Sequence, residues 1–433
     1  MHRIGPLPGH ARKHAALRRL PEGGGYGNTG PKEPREKRAH LEERRLGRPS
    51  AIKSASGVRC ASSASEDLAE VVAELKDGLG PDTIQHIIAY FSADYEAAQL
   101  LAALTAAFPN IPLSGCSTSG AITPGGMFET GVLLIAFPYE GFTIHSGLVE
   151  NVSEFGVERA TELARRLKGH LEVAESGALR RSAFAMMMVD GLSNAEETLV
   201  AAVHWAIEQV PLIGGSAGDG LAFQGAVVVH DGRVLADAAV LILVETDVPF
   251  RVFKTQNFDP TPIKLVVTGA DTERRIVKEL NAEPAAREYA SAIGLLPDDL
   301  GPFSFASYPL VVKVGGNYYC RSIRNMNDDG SLSFFCAIDE GLVFTVARPK
   351  DMLQATEDAL EEIGREIGGV DLVIGFDCVL RRLDAETRQI RHNMEELYRR
   401  YGVVGFHTYG EQFNAMHLNQ TLTGIAFGKD TVG

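Results

Sequence analysis

Two short stretches carry the residue types best suited to holding a small ligand: 114–120, SGCSTSG, and 213–220, IGGSAGDG. Glycine permits positive φ and close backbone approach, so successive N–H groups in such loops can converge on a carboxylate or another small anion. Gly115, Cys116, Ser117 and Thr118 in the first stretch are therefore candidate ligand contacts, as are Gly214, Gly215, Ser216 and Asp219 in the second. Backbone amides and the Ser117 and Ser216 hydroxyls would donate, and Asp219 would orient its loop or accept from a ligand amine. The plainer alternative is a pair of tight turns that hold nothing. Residues 214–218 also match G-x-S-x-G, so a hydrolase using Ser216, or Cys116 as a thiol nucleophile, is a competing reading. That motif works only where a strand passes directly into a helix. Here Asp219-Gly220 lead towards a hairpin, and the first stretch does not repeat the pattern. Cys116 is more simply a small buried filler.

A second polar concentration lies near the C-terminus, where Tyr409, Glu411, His417 and Asn419 are candidates for side-chain specificity. His407, Glu411 and His417 fit no zinc-ligand spacing, so no protein-only metal site is expected. A single axial haem histidine needs no spacing rule. His417 is the first candidate for that role, with His392 and His407 behind it. No Walker A, GxGxxG, HExxH or kinase signature occurs.

The elements that must position these groups are duplicated. Residues 84–122 and 183–221 align without a gap, placing Pro112 opposite Pro211, Gly115 opposite Gly214 and Ser117 opposite Ser216. Each copy reads as an apolar strand, an amphipathic helix, a Pro-Leu step, a short strand and a Gly/Ser loop. In the first copy the strand is 84–91 and the helix 94–108, with Asp94 as N-cap. In the second, Ser193 or Asn194 caps a helix at 195–209. A crossover helix is predicted at 152–168, and a hairpin turns on Asp231-Gly232. Segment 249–281 reads as strands that end the first domain, and helix 284–294 opens the second. Strands then fill 308–346, helices 350–367 and 384–400, and a further strand 371–380. The expected class is α/β to α+β: an N-terminal domain of two duplicated βαβ-type units with mixed sheets, then a mixed-sheet α+β domain.

The net charge of −14 is unevenly spread. Residues 1–60 hold 14 Lys/Arg against 5 Asp/Glu, leaving 28 against 51 in the remainder. The basic leader is poor in apolar residues and is expected to be disordered, with the folded body starting near Ser65. The acidic body repels phosphate backbones and anionic membrane surfaces, which argues against nucleic-acid and membrane partners. Five widely spaced cysteines without a CxxC pair suit a reducing cytoplasm. No apolar run has the length of a membrane span.

Three segments, GCSTSGAI, IGGSAGD and GFHTYGEQFNAMHLNQTLTGIAFG, together resemble the FIST sensory proteins, in which a FIST N domain precedes a FIST C domain. The resemblance covers about residues 65–428 and implies a domain plan of 1–62 (basic segment), 63–281 (FIST N) and 282–433 (FIST C). It implies a bacterial, non-enzymatic, cytoplasmic signal-transduction module that senses a small molecule. Some such proteins are haem-binding nitric-oxide sensors acting on histidine kinases or cyclic-di-nucleotide enzymes, so haem is the alternative ligand. With no kinase, cyclase or helix-turn-helix signature in this chain, the signal is expected to pass to a separate partner.

Overall fold

The computed structural model describes residues 49–81, 83–171, 181–314 and 316–429, so most of the basic leader lies outside the described residues. The fold begins earlier than Ser65, contrary to expectation. Strands Ser50–Lys53 and Arg59–Ser63 pair with each other, and the second also pairs with Val132–Pro138. Residues 59–63 are buried under helix Leu68–Leu79, where the small side chains of 60–63 allow close approach: a Cβ on Gly78 would sit 2.8 Å from that of Ala61. That helix is capped by Asp67, whose carboxylate accepts the Ala69 and Glu70 amides, and it buries Val71, Leu75 and Leu79 at four-residue spacing.

The mixed α/β class holds, and the unit predicted twice occurs three times. The first unit runs through strand Arg59–Ser63, helix Leu68–Leu79, strand Ile84–Ser92, helix Ala97–Ala107 and strand Leu113–Thr118. It closes with the hairpin Ala121–Thr123/Gly126–Phe128 and the return strand Val132–Pro138. The second unit repeats this order from Phe142–Glu150 to Ala238–Thr246. The third starts at Phe250–Gln256, is interrupted by residues 257–351, and resumes with helix Met352–Glu366, strand Val370–Cys378, strand Val403–Thr408 and return strand Thr421–Gly428. The helix expected at 384–400 is two helices, Val379–Thr387 and Arg391–Arg400, broken where Gln389 takes a φ of 60°. The interruption folds as a separate eight-stranded sheet with its own core around Tyr289, Phe334 and Phe344.

In each unit the two central strands are parallel and the return strand is antiparallel to the first of them. The hairpin leaves home: that of the first unit joins the third unit's sheet, that of the second joins the first's, and that of the third joins the second's. The exchange is cyclic. The three sheets turn apolar inner faces to one another, with Tyr90 and Cys116 from the first, Met186 and Met188 from the second, and Phe376 and Phe406 from the third in one core. The Tyr90 and Phe406 rings pack at a tilt of 41° with centroids 4.5 Å apart. The outer faces are covered by helices, so the central strands are apolar on both sides, as the continuous hydrophobic runs require.

One glycine per unit permits this packing. A Cβ on Gly115 would lie 1.9 Å from the Ala89 carbonyl oxygen, on Gly214 2.0 Å from that of Met187, and on Gly405 1.8 Å from that of Gly375. The register also corrects the gap-free alignment. Ile87 opposes Leu113 while Ala185 opposes Leu212, so the second unit holds one more residue between its central strands.

Candidate functional site

The stretches read as glycine loops are not open cradles. Leu113–Thr118 and Leu212–Ala217 are buried strands, and their ends meet, with the third unit, in a ring of main-chain hydrogen bonds. Ser119 N donates to the His407 carbonyl (3.1 Å), Gly218 N to that of Ser117 (3.2 Å) and Tyr409 N to that of Ser216 (3.2 Å). A second cyclic set links Ser117 N to Val227 O, Ser216 N to Gly410 O and His407 N to Gly120 O. These amides are engaged by the protein itself.

Most candidates from the sequence are likewise engaged. Gly115 and Gly214 serve sheet packing, and Gly215 faces Thr408, Phe406 and Phe376. Cys116 is fully buried and burial pushes its thiol well up. Ser117 Oγ accepts the Val227 amide at 3.0 Å, and Ser216 Oγ accepts from Gln412 at 3.0 Å. Ser216 sits in a strand followed by a turn, not at a strand-to-helix elbow, so the hydrolase geometry is absent there. Glu411 accepts from the Thr408 hydroxyl and, at 2.7 Å, from that of Thr421. Burial lifts its carboxyl to about 8 against these hydrogen bonds. Asn419 accepts the Ser322 amide at 3.4 Å and donates to the Tyr409 carbonyl at 3.2 Å.

The structure places Thr118 and Asp219 together in a cavity of about 310 Å³ beside the ring. It lies at the carboxyl ends of the first unit's central strands, the position where α/β sheets hold ligands. Its remaining lining includes Ser119 of the first glycine stretch, and Ser92, Asp94, Thr130 and Arg382, which the sequence did not single out for this role. Asp94 does not cap its helix. Glu96 does, and Asp94 instead accepts from the Ser92 and Thr130 hydroxyls, each at 2.8 Å. Arg382 reaches in from the third unit and donates through Nη1 to the Ser119 carbonyl at 2.8 Å. Among the described residues, Arg382 Nε and Ser119 Oγ are buried without a hydrogen-bond partner. Ser119 Oγ is turned towards Gly218, and Arg382 Nε lies 3.7 Å from a Glu386 carboxylate oxygen.

The cavity's roof is the segment between Ala217 and Val228, which the other two units shorten to a tight turn. Asp219 holds it in shape by accepting the amides of Phe223, Gln224 and Gly225, each at 2.8 Å. Burial opposes its charge, but the Tyr409 hydroxyl and these amides outweigh that and lower its carboxyl below the usual range. Phe223 packs on Tyr409 (4.8 Å) and on Phe335 of the inserted sheet (5.5 Å).

Known families match this architecture. A FIST N domain model matches residues 85–283 and a FIST C domain model residues 285–414. The chain belongs to the FIST family. FIST domains are a sensory family in signal transduction. An uncharacterized protein of Methanocaldococcus jannaschii is 22% identical over 403 residues, covering 84% of this chain and 77% of that protein. The boundary between the two FIST models falls inside the inserted sheet, and strand Phe250–Gln256, on the N side, pairs with Thr421–Gly428 on the C side. Among the described residues no helix is long and apolar enough to cross a membrane.

The larger cavity of this FIST protein, about 560 Å³, lies at the opposite end of the first unit and is the poorer candidate. There Ser54 and Ser56 bond to each other, the amides of Ala55 and Ser56 bond to Asp371, and Arg59 donates to the Leu79 carbonyl. These groups of its wall are already engaged within the protein.

Haem does not fit the named histidines. His417 is buried and hard against Gly410, where a Cβ would lie 2.2 Å from its Cε1. His407 is buried between Gly120 and Asp377, and burial pushes both imidazoles well down. His392 is exposed and pairs with Glu396 at 3.1 Å. No histidine lines either cavity.

Proposed function

We propose that this FIST protein is a small-molecule sensor whose ligand enters the 310 Å³ cavity and whose output passes to a separate signalling protein. The observation that carries the reading is a polar cavity at the carboxyl ends of the first unit's central strands whose lining comes from all three units, with Asp219 from the second and Arg382 from the third. A ligand that filled it would bridge the first unit to the third and press against the Asp219–Leu221 roof. Because Phe223 in that roof packs on Phe335, a change at the cavity reaches the inserted sheet, which is where we place the surface read by the partner. A ligand shifts such an equilibrium only by its differential affinity for the two poses, so roof closure must itself contribute binding energy. Partners of the kind the family resemblance implies, a histidine kinase or a cyclic-di-nucleotide enzyme, suit this scheme.

A thermal-shift screen with a metabolite library tests it. Ligands selective for the folded state raise the melting temperature. Ala93→Trp narrows the mouth at an exposed position without deleting a side-chain hydrogen bond, and should abolish the shifts. Shifts that persist in the variant would place the ligand elsewhere.

A further inference from the structure

We infer that one face of the inserted sheet docks an acidic segment of the separate signalling protein, with Lys264 and Lys313 receiving its carboxylates beside the apolar pair Val266 and Val343. The inference rests on the inserted sheet being the surface the partner reads, and adds the place and the chemistry. Strands Asn317–Arg321, Leu310–Val314, Val343–Pro349 and Phe258–Asp271 lie side by side in that order. Val266 pairs with Val343, and Lys313 with Tyr318. Val343 and Lys313 each stand two residues from the paired Thr345 and Val311, so these four side chains form one row on one face. The residues that alternate with them, Leu265, Phe344 and Val312, point the other way into the core with Tyr289 of helix Ala285–Ile293. The row itself is open: Val343 is 47% exposed, and Lys264 and Lys313 are both exposed.

The cations on this face are placed and left unneutralised. Lys264 pairs across to Thr345, donates to its hydroxyl, and brings Nζ to 5.9 Å from the Tyr318 ring centroid. Lys313 Nζ lies 5.6 Å from the same ring. Two like charges thus share one aromatic ring. Among the described residues neither lysine forms an ion pair with a carboxylate, whereas Lys350 pairs with Asp259 at 2.8 Å and Arg321 with Glu197 at 2.9 Å. Glu340, in the turn before Val343, is turned to the main chain, accepting the Ala270 amide at 3.2 Å. Beyond residue 60 the chain holds 28 Lys/Arg against 51 Asp/Glu, so acids to neutralise two lysines were not scarce. Carboxylates set beside apolar side chains on a partner protein complement this row. Nucleic acid would meet two cations against a strongly acidic remainder, which disfavours it.

The test is fluorescence anisotropy of the full chain with a labelled peptide, Glu-Glu-Leu-Glu-Glu-Leu-Glu-Glu, and its counterpart with Gln for every Glu. The acidic peptide is expected to bind, more weakly as salt rises, with the Gln peptide weaker by about tenfold or more. Lys264→Glu with Lys313→Glu should abolish binding. Should that pair fail to fold, Lys313→Glu alone serves, since its ammonium has no hydrogen-bond partner here; a loss of about threefold or more is expected. Hydrogen exchange should show protection at 310–321 and 343–347. Ala93→Trp should leave peptide binding unchanged, so lost ligand responses would count against the cavity alone and lost peptide binding against this face alone. Equal binding of the two peptides, indifference to the lysine substitutions, protection elsewhere, or no binding would overturn the proposal. Self-association of the chain that Val343→Asp disrupts would overturn it in favour of a second copy on this face.

Discussion

The three strand ends that meet at the ring differ in one respect: the first is open and the other two are filled. At the first, Asp94 is held by side-chain hydroxyls of Ser92 and Thr130, and space remains above Thr118 and Ser119. At the second, Asp190 is 5% exposed and bonds main-chain amides directly, Leu192 N at 2.9 Å and Asp237 N at 2.7 Å. At the third, strand Val370–Cys378 runs straight into helix Val379–Thr387, whose Val379, Leu380 and Leu383 pack with Phe335 and Tyr409. Replicating a unit replicates its ends, but a pocket survives only where the side chains leave room. The open end also recruits groups from both other units, Asp219–Leu221 from the second and Arg382 from the third.

The largest expected effect breaks the equivalence of the units outright. Gly405→Ala forces a methyl group into the Gly375 carbonyl, and Gly115→Ala does the same at Ala89. Each should cost more than about 4 kcal/mol and yield protein without a cooperative unfolding transition by circular dichroism. Next, the third end is set by a buried network in which Arg381 bonds Asp377 (2.6 Å), Asn257 (2.8 Å) and Thr356 (3.1 Å), with Tyr398 on the same carboxylate (2.9 Å). Asp377→Ala strands the arginine and should cost about 3–5 kcal/mol in chemical denaturation.

Glu411 gives a pH signature that the first end lacks. Its carboxyl is raised from 4.5 to about 8, so the native state holds a proton that the unfolded chain releases. Stability from this group is therefore present below pH 4.5 and is lost as pH rises through about 8. Glu411→Gln should flatten that decline and stabilise the protein at pH 9 by on the order of a few kcal/mol. An unchanged pH profile in the variant would contradict the assignment. The smallest expected effect is at the roof: Tyr409→Phe removes the hydroxyl that bonds Asp219, costing about 1–2 kcal/mol. Faster proteolysis within 219–225, with the rest of the chain still resistant, is the expected readout.

Much of the scaffold was legible because local signals agreed. The crossover helix Val152–Lys168 matched its amphipathic pattern, and Asp231-Gly232 took the positive φ values, 43° and 81°, that a tight hairpin demands. The third unit was hidden because the insertion at 257–351 separates its first strand from the rest, and two helices replace one. The shared feature was nevertheless present in Gly405, Thr408 and Gly410, spaced as Gly115, Thr118 and Gly120 are. Arg382 escaped notice because adjacent arginines on a charged helix ordinarily face solvent, whereas here Arg381 is buried among Asp377, Thr356 and Asn257 and Arg382 is buried against Ser119 of the first unit. Strand Arg59–Ser63 escaped because Arg-Cys-Ala-Ser-Ser shows no hydrophobic alternation, yet its four small residues suit a position beneath a helix. Gly115 and Gly214 stood out correctly as glycines that must be glycine, but for strand packing and not for a ligand.

Amide hydrogen exchange of the whole chain, with and without a saturating ligand identified by the thermal-shift screen, probes the contrast between open and filled ends most directly. Protection is expected at 117–120, across 218–227 and along helix Val379–Thr387, with the Asp190–Asp237 end unchanged. Protection confined to that second end, or to the 53–59 and 138–141 walls of the larger cavity, would contradict the account.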